Sequence, residues 1–342
     1  MWHPDSYLTK LYQDTTPRYR FQAESEGQWR EWRDTLRGKF AAQLGQFPEI
    51  SADLQPVLLE EVPCDGYVRQ RVEMTTWSGL VMPAYVLIPS GASRQNEAHP
   101  AIIACHGHGY GGKAVVGLQA DGRTPTEAPD YHNNFAIELV KRGFLVIVPE
   151  LLGFGDRKTA ADAAGNASNS CHTLSTTLLH MGHTMAGHRV YEVIRAIDYL
   201  QTRPDVDPAR IGIMGISGGG LVAAFTAALD DRVQAAVVSG YVNTFQDSIL
   251  AIHHCIDNYI PGIGRLAELP DLIALIAPRP LLIESGERDN IFPIHATVEA
   301  YGRIREVYRL LGVAEAVELD RFDGPHVIHG VRAYEWLIEK LG

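Results

Sequence analysis

The sequence predicts an α/β fold with a mainly parallel central sheet and helices on both of its faces. From residue 101 to the carboxyl terminus, short apolar runs alternate with helix-like segments, which is the pattern of buried strands linked by helices. Near the middle of the chain, one apolar run leads through a glycine-rich turn directly into an apolar helix. Three earlier strand-like segments predict antiparallel strands at the start of the sheet, and a helical extension precedes them.

Residues 1–56 are predicted to form this helical amino-terminal extension, packed on the body of the protein. Between Glu26 and Gly45, aromatic and apolar residues recur at three- and four-residue spacing, which is typical of a helix with one buried face. The same stripe could instead serve a dimer interface, so a homo-oligomer is an open alternative. The strand-like segments that follow are separated by turn residues and cover residues 57–62, 68–76 and 80–88.

Two polar segments interrupt the predicted domain of residues 57–342 and are expected to be lid-like insertions. They lie near residues 153–187 and 241–264, each after a predicted strand, and therefore over the strand ends where α/β proteins bind ligands. Ordinary surface loops are the alternative. Four residues beside or within these segments are expected to bind substrate, namely Glu150, Tyr241, His254 and Tyr259. For Glu150, capping of a turn is the alternative role.

The glycine-rich turn is a G-x-S-x-G motif, which places Ser217 between Gly215 and Gly219. An apolar strand precedes the motif and an apolar helix follows it, which is the context of a nucleophile elbow. Such a turn strains the serine backbone and exposes its hydroxyl, while the glycines remove side chains that would collide there. Ser217 is therefore the candidate nucleophile. An ordinary glycine-rich turn of an α/β domain is the alternative.

A serine hydroxyl needs a base, and the base needs an orienting acid. The loop after the strand-like run 280–285 carries Asp289, and a loop before the final helix carries His326. Both lie downstream of Ser217, in the chain order of serine, acid and histidine that follows a nucleophile elbow. We therefore predict a catalytic triad of these three residues. The alternatives are nearby carboxylates and a nearby histidine: Glu284, Glu287 and His329.

The negative charge that develops during acyl transfer needs backbone N–H donors. Gly218, the residue after the candidate nucleophile, should supply one of them. The other should come from the glycine-rich loop 106–112, which follows the apolar run 100–105. We assign this second role in the oxyanion hole to the N–H of His108, with Gly109 as the alternative.

These motifs together resemble those of the α/β-hydrolase superfamily, from about Tyr67 to the end of the chain. Within it, the His-Gly-His-Gly segment 106–109 and the run 266–280, which ends in Ala-Pro-Arg-Pro, are similar to the acetyl xylan esterase-like and dienelactone hydrolase-like bacterial branch. The nucleophile motif and the residues around the base differ from those of the carbohydrate esterases proper.

The resemblance implies an α/β-hydrolase fold and a serine esterase that hydrolyses carboxylic esters through an acyl-serine intermediate. The expected substrates are small esters of the acetyl type. A lactone hydrolase and a prolyl oligopeptidase-like peptidase are alternatives that use the same triad. A non-catalytic binding protein with the same fold is the alternative from another functional class.

Composition and charge restrict the partners. The formal net charge is −11, which argues against a nucleic-acid surface built from clustered Lys and Arg. No apolar run approaches the length of a membrane span, and the first residues lack the basic and apolar regions of a signal peptide. We therefore expect a cytoplasmic protein whose partner is a small-molecule or carbohydrate ester. The predicted chemistry requires no cofactor.

The four cysteines are scattered and form no C-x-x-C pair, so free thiols and no metal are expected. They are Cys64, Cys105, Cys171 and Cys255. A structural zinc made from Cys171, Cys255 and nearby histidines is the alternative, although the spacings match no standard zinc site.

Overall fold

The computed structural model describes residues 2–90 and 98–342, and its centre is one mixed sheet. The strands are β1 Val57–Cys64, β2 Tyr67–Trp77, β3 Leu80–Pro89, β4 His99–Cys105, β5 Leu145–Pro149, β6 Val206–Ile216, β7 Val233–Ser239, β8 Leu281–Gly286 and β9 Val317–Phe322. Their order across the sheet is β1-β2-β3-β5-β4-β6-β7-β8-β9. The pairs from β1 to β5 are antiparallel, and all pairs from β5 to β9 are parallel. The predicted sheet with antiparallel strands at its start is therefore confirmed.

Helices surround this sheet. They are α1 Asp5–Asp14, α2 Glu26–Leu44, α3 Phe135–Val140, α4 Ala160–Ala164, α5 Cys171–His180, α6 Met185–Thr202, α7 Gly218–Leu229, α8 Ile263–Leu266, α9 Leu269–Ile273, α10 Ile294–Leu310 and α11 Val331–Leu341. Single 3-10 turns cover Gly112–Ala114, Gly155–Arg157, Ile256–Asn258, Ala274–Ile276 and Ala314–Ala316. Within the described ranges, none of the helices is long and apolar enough to cross a membrane.

Both faces of the sheet are buried because successive strand residues point to opposite sides. In β4, Ile103 packs into one core together with residues of α2, α6, α7 and α10, whereas Ile102 packs into a second core with residues of α3 and α11. Every residue of β4 is buried. The two cores explain the continuous apolar run in the sequence and confirm the predicted helices on both faces.

The parallel direction of β4, β6, β7, β8 and β9 brings their carboxyl ends to the same edge of the sheet. The loops that follow these strands therefore converge at that edge. This is the place where ligands bind in open α/β sheets. The loops after β4, β6, β8 and β9 carry the oxyanion, nucleophile, acid and base candidates, in that order.

Helix α2 attaches the amino-terminal segment to the sheet and its helices. Ser25 caps the helix by accepting a hydrogen bond from the N–H of Gln28. The buried residues of the helix are Trp29, Leu36, Phe40 and Leu44. Phe40 meets Phe225 of α7 edge to face, with ring centroids 4.8 Å apart. These contacts support the proposal that residues 1–56 are an extension packed on the body.

A buried carboxyl group, that of Glu150, follows β5 directly and is completely enclosed. Its Oε1 atom lies against Gly111 and Gly155, which both have positive φ angles, and a Cβ atom at either position would overlap this oxygen. The guanidinium of Arg71 lies 3.6 Å from Oε2. Burial outweighs this attraction and raises the pKa of Glu150 to about 7.

Replacing Phe40 with alanine should destabilise the folded protein by about 3–5 kcal/mol, because the substitution leaves a cavity between α2 and α7. Urea-induced unfolding followed by circular dichroism measures this loss. Lys39→Ala changes an exposed neighbour on the same helix and should alter the free energy of unfolding by less than about 0.5 kcal/mol. Equal unfolding curves for the two variants would show that α2 does not pack on the body as described.

Replacing Glu150 with glutamine should remove a pH-dependent loss of stability. The folded protein holds the carboxyl proton up to a pH of about 7, whereas the ordinary pKa of 4.5 applies to the unfolded chain. The folded state therefore binds more protons between these values, and the free energy of unfolding falls as the pH rises through the interval. Denaturant unfolding across this interval should show a flatter profile for Glu150→Gln. The exposed control Glu299→Gln should keep the wild-type slope, and a wild-type slope in Glu150→Gln would contradict the prediction.

Candidate active site

Ser217 occupies the turn between β6 and α7 and has a strained backbone. Its φ and ψ angles are 58° and −125°, outside the regions that non-glycine residues usually adopt. Its N–H donates to the carbonyl of Ser239 at the end of β7 over 3.0 Å, and the residue is partly exposed. This is the geometry of a nucleophile elbow, in which the turn presents the hydroxyl at the carboxyl edge of the sheet.

The glycines of the motif are required by close packing around the turn. A Cβ atom at Gly219 would overlap the carbonyl oxygens of Cys105 and His106, and one at Gly215 would overlap the carbonyl of Gly219. Strand, turn and helix can approach this closely only without side chains at these two positions. The pattern seen in the sequence therefore has a steric cause in the fold.

Asp289 and His326 form a hydrogen-bonded pair near this turn. The Nδ1 atom of His326 lies 2.6 Å from Oδ2 of Asp289, and both side chains are largely buried. The other oxygen of Asp289 accepts hydrogen bonds from the N–H groups of Ile291 and Phe292, at 2.8 and 2.9 Å. The carboxylate is therefore held in place and orients the imidazole ring.

The alternative acids and the alternative base have other partners. Glu284 is buried within β8 and accepts hydrogen bonds from two backbone N–H groups and a serine hydroxyl. Burial raises its pKa. Glu287 is exposed and forms an ion pair of 2.9 Å with an arginine, and His329 stacks on a phenylalanine ring. The structure thus pairs His326 with Asp289 and with neither glutamate.

Gly240 brings this pair close to Ser217. It follows Ser239, whose carbonyl accepts the N–H of Ser217. A Cβ atom on Gly240 would lie 2.8 Å from Cε1 of His326 and 3.4 Å from Oδ2 of Asp289. Within the described part of the chain, the buried Nε2 atom of His326 has no hydrogen-bond partner. The imidazole therefore keeps one nitrogen available for the proton of a neighbouring hydroxyl.

Two buried histidines hold the loop that follows β4. His106 accepts the N–H of Leu151 at Nε2 over 3.0 Å, so its Nδ1–H donates to the carbonyl of Gly107. Burial lowers the pKa of His106 to about 3, and the ring is neutral. His132 accepts the N–H of Gly107 over 2.9 Å, and its other nitrogen lies 2.8 Å from Asp130. These bonds fix the backbone of the loop.

The two predicted oxyanion-hole residues, His108 and Gly218, lie next to each other. A Cβ atom on Gly218 would be 3.3 Å from Nδ1 of His108. Gly218 begins α7, where the first N–H groups of a helix have no acceptor within the helix. The carbonyl of His108 accepts a hydrogen bond of 2.7 Å from the hydroxyl of Tyr131. Both candidate donors therefore lie in the immediate surroundings of Ser217.

The imidazole of His108 is close to a buried ion pair. Arg189 donates to Asp257 over 2.6 Å, and Nε2 of His108 lies 3.4 Å from the same carboxylate oxygen. Although burial acts in the opposite direction, Arg189 and His108 hold the pKa of Asp257 well below its usual range. Burial also acts to lower the pKa of His108, but the contact with Asp257 raises it to about 9.

The four predicted substrate-binding residues fall into two groups. Glu150 is fully buried and Tyr241 is 1% exposed, so the enclosure of both side chains leaves them no surface for a ligand and argues against the predicted role. His254 and Tyr259 are at least partly exposed. The ring of His254 lies 5.5 Å from that of Phe292, which in turn stacks near the catalytic histidine candidate. Substrate binding by His254 and Tyr259 stays a prediction.

Sequence reasoning did not single out Tyr131, the His132–Asp130 pair or the Arg189–Asp257 pair. Asp130, Tyr131 and His132 lie in or next to a polar, turn-rich stretch. Their only local signal is a histidine two residues after an aspartate, which is a common pattern. Arg189 and Asp257 are 68 positions apart. No local pattern in the sequence links residues at such a separation.

Two groups of side chains among the described residues bring possible metal ligands together. One contains His108, Cys171, Cys255 and Asp257, and the other contains Glu284, Asp320 and His329. The second group is poorly suited to a cation because the oxygens of Glu284 already accept three hydrogen bonds. In the first group, the oxygens of Asp257 instead accept from the side chains of Arg189 and Asn258.

Sequence comparison places the chain among known hydrolase-fold proteins. A family model described as the Abhydrolase family matches residues 6–323. YtaP of Bacillus subtilis, which is a proposed hydrolase, is 30% identical over 261 residues that cover 74% of this chain and 80% of YtaP. The range matched by the family model includes Ser217 and Asp289 and ends three residues before His326.

Solved structures share the fold at low sequence identity. A proposed acetyl xylan esterase of Bacteroides fragilis superimposes with a TM-score of 0.77 at 20% identity, over 94% of this chain and 83% of that protein. A glucuronoyl esterase of Solibacter usitatus gives a TM-score of 0.70 at 16% identity, over 93% and 94% of the two chains. At these identities the similarity shows the fold alone.

The family match spans most of the chain and agrees with the sheet topology and the nucleophile elbow. It confirms the resemblance to the α/β-hydrolase superfamily that the sequence motifs indicated. The chain therefore belongs to the Abhydrolase family and has the α/β-hydrolase fold.

Proposed function

We propose that the protein is a serine carboxylic-ester hydrolase that acts through an acyl-serine intermediate. The observation that carries the proposal is the 2.6 Å hydrogen bond between Asp289 and His326, beside a serine with a φ angle of 58°. An oriented imidazole with an unpaired nitrogen has a direct use in activating a hydroxyl. A protein that only binds ligands has no physical need for this combination.

In the proposed reaction, His326 takes the proton of Ser217 while the serine oxygen attacks the ester carbonyl, and Asp289 stabilises the resulting imidazolium. The N–H groups of Gly218 and His108 stabilise the oxyanion. The imidazolium then protonates the departing alcohol, which leaves an acyl-serine. The same imidazole activates water, whose attack releases the acid and restores the serine. No cofactor takes part in these steps.

We further propose small acyl groups of the acetyl type, on small-molecule or carbohydrate alcohols. The ring of Phe292 lies 5.7 Å from that of His326, and the ring of Phe154 lies 5.0 Å from that of His108. Both rings are almost fully buried and fill space beside the two histidines, and this limited space favours a short acyl chain over a long one. The proposed acetyl xylan esterase among the structural relatives, whose name implies a sugar as the alcohol, supports this choice.

A separate cavity of about 980 Å³ is lined by residues of α1, α10 and the segment 245–268, and its lining includes none of the three triad candidates. We therefore do not assign this cavity to the substrate.

Lactone hydrolysis and aminoacyl-amide hydrolysis would use the same triad. Relative kcat/KM values for acetyl esters, lactones and aminoacyl amides separate these chemistries, and the proposal expects the acetyl esters to rank first.

Replacing Ser217 with alanine should lower turnover of a short p-nitrophenyl ester by several orders of magnitude, up to about a millionfold as in a comparable triad. It should also abolish labelling by a fluorophosphonate and leave the circular dichroism spectrum unchanged. Ser168→Ala, which removes an exposed hydroxyl in the segment 153–187, should retain turnover and labelling. Ester turnover that survives Ser217→Ala would refute the proposal. A folded wild-type protein that neither turns over esters nor reacts with the probe would favour a binding protein.

Replacing Asp289 with asparagine should lower kcat by about ten thousandfold, because an amide cannot stabilise the imidazolium or hold the required tautomer of His326. The matched control is Glu287→Gln, which removes the charge of the neighbouring exposed carboxylate and should change kcat less than about threefold. Steady-state kinetics on the same ester give both values. A larger loss in Glu287→Gln than in Asp289→Asn would reassign the acid.

A further inference from the structure

Four side chains that the proposed ester hydrolysis does not use meet beside the oxyanion loop. They are His108, Cys171, Cys255 and Asp257, and their ligand atoms all lie within 4.8 Å of one another. They come from three separate parts of the fold, namely the loop after β4, the first residue of α5 and the 3-10 turn 256–258 with the residue before it. The convergence is a product of the tertiary structure and not of any local motif.

Two distances within the cluster match those between the ligands of a tetrahedral zinc ion, and the remaining ones are below 4.8 Å. Sγ of Cys171 lies 3.3 Å from Oδ2 of Asp257, and Nε2 of His108 lies 3.4 Å from the same oxygen. Typical zinc–sulfur, zinc–nitrogen and zinc–oxygen bonds at tetrahedral angles separate sulfur from oxygen by about 3.5 Å and nitrogen from oxygen by about 3.3 Å. A zinc ion can therefore enter without large movements of these three residues.

The Nε2 atom of His108 contacts Oδ2 of Asp257 over 3.4 Å, which is long for a hydrogen bond. Within residues 2–90 and 98–342, the buried Nε2 atom of His108 has no hydrogen-bond partner of good geometry. Cys171 is buried, and its Sγ atom contacts Asp257 over 3.3 Å and Arg189 over 3.4 Å, which are weak interactions for a neutral thiol. Buried polar atoms are normally satisfied, and an unsatisfied group in a native fold indicates a ligand or a functional role.

The surrounding charge also suits such a site. Two thiolates, one carboxylate and a neutral imidazole around Zn²⁺ carry a net charge of about −1. Arg189, which is 2% exposed, donates to Asp257 over 2.6 Å and to the sulfur of Cys171 over 3.4 Å. Its guanidinium therefore neutralises the complex and supports two of the four ligands from the outer coordination shell. Buried charges are tolerated when they are paired in this way.

We propose that His108, Cys171, Cys255 and Asp257 bind one Zn²⁺ ion in a closed structural site. Two thiolates with an imidazole and a carboxylate are a donor set that favours zinc over harder cations. All four positions would be taken by protein ligands, so the ion has no open position for substrate and serves structure. This replaces the sequence-based expectation of no metal and stands independently of the proposed ester hydrolysis.

The zinc site gives the two lid-like segments a common anchor. Cys171 belongs to the segment 153–187, Cys255 and Asp257 belong to the segment 241–264, and His108 lies in the oxyanion loop. One ion therefore ties both segments to the loop after β4, in which a Cβ atom on Gly107 would lie 3.2 Å from Cβ of Ser217. Metal binding in such a site contributes directly to the stability of the segments that it joins.

The test is metal content with matched cysteine variants. Reduced wild-type protein, incubated with excess zinc and then passed over a chelating resin, should retain about one zinc ion per chain by elemental mass spectrometry. Cys171→Ser and Cys255→Ser should each lose most of this zinc. The control Cys64→Ser removes a thiol outside the cluster and should retain the wild-type amount.

A second measurement does not depend on the folding of the variants. Co²⁺ added to metal-free wild-type protein should produce the charge-transfer absorption of a cobalt–thiolate centre, and zinc should displace it. A wild-type protein that retains no zinc and develops no such absorption would overturn the proposal. Zinc retention that is unchanged in both Cys171→Ser and Cys255→Ser would also overturn it. Formation of a Cys171–Cys255 disulfide in air, in protein that was first loaded with zinc, would overturn the proposal as well.

Discussion

Backbone strain at Ser217 governs the architecture of this site. A non-glycine residue with a φ angle of 58° carries a cost on the order of 1–3 kcal/mol, which the surrounding packing must offset. Strand β6 lies between β4 and β7 in the interior of the sheet, and nearly every residue of α7 is buried. Because both neighbours are fixed by burial, the turn between them cannot relax, and the serine hydroxyl stays at the carboxyl edge of the sheet.

The loops around this turn are held by side chains and not by regular secondary structure. His106 and His132 bind the backbone of the loop after β4, and Tyr131 binds the carbonyl of His108. Two backbone N–H groups hold one oxygen of Asp289, and its other oxygen orients His326. A site that is ordered before substrate arrives does not have to reorganise during the reaction, which is the physical basis of electrostatic stabilisation by backbone donors.

The proposed zinc ion extends the same principle to the segments above the sheet. These segments contain short helices and turns, and the side chains of Cys171 and Asp257 contact each other between them. The buried pair of Arg189 and Asp257 lies beside this contact. His108 belongs both to this cluster and to the loop after β4, so the order of the segments 153–187 and 241–264 and the order of the candidate oxyanion hole are physically linked.

Local patterns were sufficient to establish the mainly parallel sheet, the elbow at Ser217 and the chain order of the three triad candidates. Strand periodicity and glycine sterics act over a few residues, and the sequence displays them directly. The same patterns left Glu284, Glu287 and Asp289 as competing acids. They also predicted substrate binding by Glu150 and Tyr241, whose side chains are enclosed in the structure. The pairing of Asp289 with His326 joins residues 37 positions apart, and the cysteine cluster spans a still longer separation. Such proximity is set by how loops pack at the edge of the folded sheet, and no short-range pattern encodes it.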